Sequence, residues 1–229
     1  MDYDKIRYTV YEIYKSCDVV RLPFDCFDVL YRLGYKVTEY DSLTEESRSA
    51  CMRLSEDACI VGNEIFYNGN KPKRRIRFSL MHELGHLMLN TVDEAEANNF
   101  ASTILAPSIA VHYSRLTNVR ELSNLFDISL ECAQYALESC TKWVYSVKGY
   151  GMTDIDKRLY HHFYDSEAGR FVFKAMQCAY CDTIVYNSNT PFCASCDKQY
   201  YKSLSAQSMF DELDRDLIAM ENHWLYGGL

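Results

Sequence analysis

No stretch of this 229-residue chain approaches the roughly 20 consecutive apolar residues of a membrane-spanning helix. A helical integral membrane protein is therefore excluded. The charged start, Met1-Asp2-Tyr3-Asp4-Lys5, runs into no secretory apolar core, which points to a cytoplasmic location. Positive charge is also in short supply: 24 Lys and Arg stand against 32 Asp and Glu, a net charge of −8. That balance argues against anionic membranes and loose nucleic-acid binding as partners. The local exception is Lys71, Lys73, Arg74, Arg75 and Arg77. It reads first as a solvated approach to the next helix, with contact to an acidic substrate as the lesser reading. Cysteine is plentiful, at ten residues, and in a reducing compartment these are thiols and metal ligands rather than disulfides. With 48% hydrophobic residues the chain can bury one substantial core plus a small appendage.

The most specific motif is His82-Glu83-Leu84-Gly85-His86, inside the apolar run Ile76 to Leu89. Residues four apart share a helix face, so His82 and His86 can offer two imidazoles to one metal ion. Glu83 stands beside them, where a carboxylate can take the proton of an attacking water. Leu80, Leu84 and Leu87, with Met81 and Met88, make the surrounding helix buried on most sides. A core helix with merely hydrogen-bonded histidines is the bland alternative, and it leaves Glu83 unexplained.

A catalytic zinc site takes three protein ligands and keeps an open position. The candidates for the third are Glu94, Glu96 and His112. A second helix is predicted from the acidic cluster Asp93, Glu94, Glu96 to about Leu105. On it Glu94, Asn98, Ala101 and Leu105 form one stripe beside small Ala97, which allows a close approach. Glu96 shares a bulkier face with Asn99, Phe100 and Thr103. Glu94 is the preferred ligand and Asn98 a group that orients one; acidic residues also suit a helix N-terminus for dipole reasons alone.

Arg77-Phe78-Ser79-Leu80-Met81-His82-Glu83-Leu84-Gly85-His86-Leu87, then Glu94-Ala95-Glu96-Ala97-Asn98-Asn99-Phe100-Ala101 and Leu105-Ala106-Pro107, resembles the ImmA/IrrE family of metallo-endopeptidases. The likeness covers roughly residues 1–145 and is strongest over 74–107. It implies zinc on His82, His86 and Glu94, Glu83 as catalytic base, and limited proteolysis of a helix-turn-helix repressor or similar regulator. Two departures are Ala106, where the family usually has Met, and a chain that continues well past the usual end.

Elsewhere, helices are expected over 3–16 and from Pro23 to Gly34, and a strand over 35–39. Ala58–Val61 and Glu64–Tyr67 form a hairpin across Gly62-Asn63. Ile65, Phe66 and Tyr67 are proposed as a free strand edge that receives substrate, an ordinary sheet strand being the equal alternative. Residues 118–138 resemble a helix-turn-helix, with Asn118 and Glu121 as a capping box and a turn at Asp127-Ile128-Ser129. Its second helix shows Glu131, Gln134 and Glu138 outward and no Lys or Arg, so it reads as structural or partner-binding, with direct nucleic-acid contact disfavoured.

Cys178-Ala-Tyr-Cys181 and Cys193-Ala-Ser-Cys196 are two C-x-x-C knuckles, the pattern of a structural four-cysteine zinc site in a ribbon over 171–198. Cys17, Cys26, Cys51, Cys59, Cys132 and Cys140 lack ligand spacing and are taken as small apolar residues. His161-His162 is read as strand, its side chains facing opposite ways, with no role.

The fold expected is α+β: a mainly helical, zincin-like peptidase core with a small β-sheet (1–110), a helix-turn-helix-like segment (111–147), and a C-terminal extension (148–229) holding the ribbon and a closing helix over 203–223. The expected cofactors are one catalytic and one structural zinc, and the expected partner is a protein substrate with no membrane contact. The oxyanion donor is not identified, His112 and Tyr113 being guesses. The alternative function is a non-proteolytic regulator that binds protein or DNA through the helical segment and ribbon.

Overall fold

The structure, a computed structural model, describes residues 2–196; the closing helix expected at 203–223 lies outside the described residues. The chain divides into a first unit, Met1–Cys140, and a second that begins at Thr141. The architecture is mixed α+β, mainly helical with small sheets.

The first unit opens with α1 (Tyr3–Ser16), started by Asp2, whose carboxylate accepts the Lys5 N–H. Next comes α2 (Cys26–Arg32), capped in the same way by Asp25 and followed by Gly34 at φ 84°. The chain then runs through β1 (Lys36–Glu39), a 3-10 turn (Tyr40–Ser42), α3 (Glu45–Leu54), β2 (Ala58–Val61) and β3 (Glu64–Tyr67). Five helices follow: α4 (Lys73–Leu89), α5 (Glu94–Leu105), α6 (Ser108–Ser114), α7 (Val119–Phe126) and α8 (Leu130–Tyr150), whose residues past Cys140 belong to the second unit.

β2 and β3 form the expected hairpin, with Ile60 opposite Ile65 and Val61 opposite Glu64. β3 is also paired on its other side, in parallel with β1, where Val37 faces Ile65. The order β1-β3-β2 puts β3 in the centre. This corrects the expectation that Ile65, Phe66 and Tyr67 offer a free edge: both rows of their backbone groups are used within the sheet, and Ile65 is fully buried. Among the described residues, the unpaired outer edges belong to β1 and β2. The cause is non-local, since the spacing that fixes the hairpin says nothing about where β1 docks.

The core is built by α1, α4 and α5. Val10, Ile13 and Tyr14 bury with Leu80, Met81, Leu84, Phe100, Ala101 and Ile104. The Val, Ile, Leu, Met and Phe side chains among them each contribute about 1.5–3 kcal/mol of burial. The Tyr14 hydroxyl donates to the Ile104 carbonyl at 2.6 Å, which satisfies the polar tip of a buried ring. Gly85 sets the α4–α5 spacing. A Cβ there would stand 3.2 Å from the Ala97 Cα and 3.0 Å from the Phe100 ring.

The basic run is solvated at Lys73 and Arg75, as expected, and it also has a structural use. Arg75 pairs with Asp57 at 2.6 Å, and Lys71 lies 3.5 Å from Glu56. Arg74 bonds Asp127, Ser123 and Asn124, and Lys73 reaches Asp127 at 3.2 Å. Arg77 is 7% exposed and donates to the carbonyls of Asp127 and Phe24. Lys73, Arg74 and Arg77 collect at the C-terminal end of α7, where the helix dipole favours positive charge. Asp127, in the left-handed region at φ 52°, makes the turn into α8.

In the second unit, α9 (Asp154–His162) starts from a capping box between Thr153 and Asp156. Asp156 also accepts the Trp143 indole N–H at 2.9 Å. His161 and His162 therefore end a helix; the strand expected there is wrong because the Thr153 cap launches helical structure that the short polar segment hid. Two antiparallel pairs follow, β4 (Tyr164–Asp165) with β5 (Arg170–Phe171), and β6 (Ala175–Gln177) with β7 (Ile184–Tyr186). The Asn187 side chain ties them: its oxygen accepts from Phe173 N at 2.9 Å and its amide donates to the Phe171 carbonyl at 2.8 Å. No helix among the described residues is long and apolar enough to cross a membrane.

Candidate metal centre

α4 carries His82 and His86 one turn apart, and α5 begins at Glu94 against them. Asn90, left-handed at φ 50°, ends α4 and turns the chain so that the Thr91 carbonyl lies 2.9 Å from His86 Nδ1. Asp93 caps α5 by accepting the N–H groups of Ala95 and Glu96, which fixes Glu94 in the first turn. One turn later, Asn98 Oδ1 lies 2.9 Å from His82 Nδ1. Both partners are acceptors, so each Nδ1 holds the proton and each Nε2 presents its lone pair.

Those lone pairs converge. The two Nε2 atoms are 3.0 Å apart, and Glu94 oxygens lie 3.1 Å from that of His82 and 3.5 Å from that of His86. Ligand atoms around a tetrahedral zinc, with bonds of about 2.0–2.1 Å, stand about 3.3–3.4 Å apart. The three donors match that spacing, and a neutral imidazole pair facing a carboxylate is a donor set suited to a divalent cation. Burial and the neighbouring His86 push the His82 pKa down, against the opposing pull of Glu94 and Asn98, which favours the neutral, ligating form. Of the candidate third ligands, the structure brings Glu94 to the histidines; Glu96 and His112 are not in the cluster.

Glu83 is half-buried beside this site. Burial pushes its carboxyl up to about 7; His86 opposes that shift and the Glu94 charge adds to it. A cleft of about 710 Å³ opens over the site. His82, Glu83 and Glu94 line it, and Ser55, Asp57 and Ala58 border it at the start of β2. Ser129, Glu131, Cys132 and Tyr135, at the start of α8, form a further wall. The sequence reading missed that wall, since it took Cys132 only as packing; the signal was the small and polar stripe on an otherwise structural helix pair. His112 and Tyr113, the guessed oxyanion donors, sit on α6 and do not line the cleft.

The second unit holds another donor cluster. The sulfurs of Cys178, Cys181, Cys193 and Cys196 lie within 4.8 Å of one another. The Cys193 N–H points at Cys178 Sγ at 3.2 Å, and the Cys181 and Cys193 sulfurs are 3.5 Å apart. Backbone N–H groups of Cys193 and Tyr180 draw the Cys178 thiol down to about 6. This cluster is compatible with a zinc ribbon. The six other cysteines are buried and free, as small apolar residues are.

No curated protein matches this chain. Residues 31–138, a span that holds all three converging donors and every residue lining the cleft, match the IrrE N-terminal-like domain of the M78 peptidases. The chain thus carries a metallopeptidase-type domain of the ImmA/IrrE family.

Proposed function

We propose that the chain is a zinc-dependent endopeptidase. The observation that carries this is the convergence of His82 Nε2, His86 Nε2 and a Glu94 carboxylate, with both Nδ1 atoms tied to fixed acceptors. Zinc held there would polarise the scissile carbonyl and lower the pKa of water towards about 7.

The chain's own residues supply the rest. Glu83, raised by burial, accepts the proton of the attacking water and passes it to the departing amine nitrogen. Asn98 and the Thr91 carbonyl hold the imidazole planes while charge develops. An extended peptide adds to the outer edge of β2, which borders the cleft at Ala58, so its main chain passes beside Glu83. The four cysteines at 178, 181, 193 and 196 hold a second, structural zinc. The substrate is a folded regulator, a helix-turn-helix repressor or similar protein, cut at a limited number of bonds in the cytoplasm.

The test is Glu83→Gln in the full chain with a candidate repressor. Repressor cleavage is expected to stop while bound zinc, measured by mass spectrometry, stays at the wild-type level. Continued loss of repressor with this metal-loaded variant would favour the non-proteolytic regulator instead.

A further inference from the structure

We propose that the part of the cleft between α5 and the start of α8 is the subsite that selects the substrate, and that it takes one large apolar or aromatic side chain. This rests on the peptidase reading above. The cleft is asymmetric. Its border at the start of β2 is formed by small Ala58 with polar groups at Ser55 and Asp57, which suits a peptide main chain. The opposite part ends on Ser102 and Cys132, 8% and 6% exposed. Their Oγ and Sγ atoms lie 3.7 Å apart and so answer each other's hydrogen-bonding need. These two short, buried side chains in the lining leave room that a Leu or Phe in their place would fill.

The sides of this recess are rings. Phe78 lines it from α4 and Tyr135 from α8. The Tyr135 hydroxyl accepts the buried Asn99 amide at 2.8 Å, which anchors the polar tip and leaves the ring as wall. The Cys132 thiol is pushed up to about 11 by burial, so it stays neutral. The charged group nearest in sequence, Glu131, is exposed at the rim. Arg74 and Arg75 also line the cleft, but their charges are answered by Asp127 and Asp57. Beside them, the rings of Phe78 and Tyr135 with the neutral Ser102 and Cys132 favour an apolar side chain over a charged one.

The experiment uses the zinc-loaded full chain and two succinyl hydroxamates that differ only in a benzyl or a methyl substituent, with binding measured by calorimetry. Wild type is expected to bind the benzyl compound about tenfold or more tighter. Cys132→Leu and Ser102→Val each fill the recess and are expected to bring the ratio to about twofold or less, with zinc content and circular dichroism unchanged. Two variants are used because either substitution alone could disturb the α5–α8 packing. If both compounds bind wild type equally, or if folded variants keep the benzyl preference, the subsite assignment is overturned and the peptidase reading stands. If neither compound binds the zinc-loaded wild type, the peptidase reading fails first and the subsite with it.

Discussion

Gly85→Ala is expected to weaken zinc binding without removing any ligand. A new Cβ would face the Ala97 Cα at 3.2 Å and Phe100 atoms at 3.0 and 3.2 Å, whereas carbon contacts settle near 3.5–4.0 Å. Phe100 and Ala97 are both fully buried, so neither side chain nor backbone can yield locally. Relief requires α5 to move off α4 by about 0.5 Å. That helix carries Glu94 and Asn98, and metal–ligand distances tolerate about 0.2 Å. Affinity should fall about 10–100-fold, the range seen when groups orienting a ligand are lost. Stability has two opposing parts: replacing a helical glycine gains about 0.5–1 kcal/mol, and overpacking costs about 1–3 kcal/mol. The net lies between about zero and a loss of about 2.5 kcal/mol. Competition against a fluorescent zinc chelator reads the first quantity and thermal denaturation the second. A variant with a raised melting temperature and wild-type zinc affinity would refute the claim that Gly85 sets the α4–α5 distance.

Asn98→Ala removes the acceptor for His82 Nδ1 and should lower zinc affinity about 10–100-fold with the fold intact, while Asn98→Asp keeps an acceptor and should retain most of it; chelator competition checks both. Metal analysis should find two zinc ions per chain in the wild type and one in Cys181→Ser, whose cleft site stays loaded. Burial alone would raise Asp127, but its bonds to Lys73 and Arg74 and the Arg77 charge hold it below the ordinary carboxylate range. A depressed carboxyl contributes stability that is present above its unfolded pKa, near about 3.9, and lost as pH falls through the folded value. Urea midpoints should therefore separate wild type from Asp127→Asn at pH 7 and converge below about pH 3; an equal gap at both pH values would assign the effect to packing.

How much was legible in the residues varies with the range of the interaction. Helical spacing alone aligned His82 with His86, and the stripe of Glu94, Asn98 and Ala101 beside Ala97 selected the right face of α5, because a 3.6-residue period is a local property. The two C-x-x-C knuckles carry their own geometry in the same way, and Gly62-Asn63 specified its hairpin. What the spacing left open was decided by contacts far apart in sequence. β1 docks on β3 and so takes the edge away from Ile65–Tyr67. Asp127 gathers Lys73, Arg74 and Arg77, which turns an apparently free basic run into a clamp. The start of α8 closes the cleft with Cys132 and Tyr135. Strand order, ion pairing and cavity walls depend on which surfaces meet once the apolar faces are buried, and a one-dimensional pattern holds no record of that meeting.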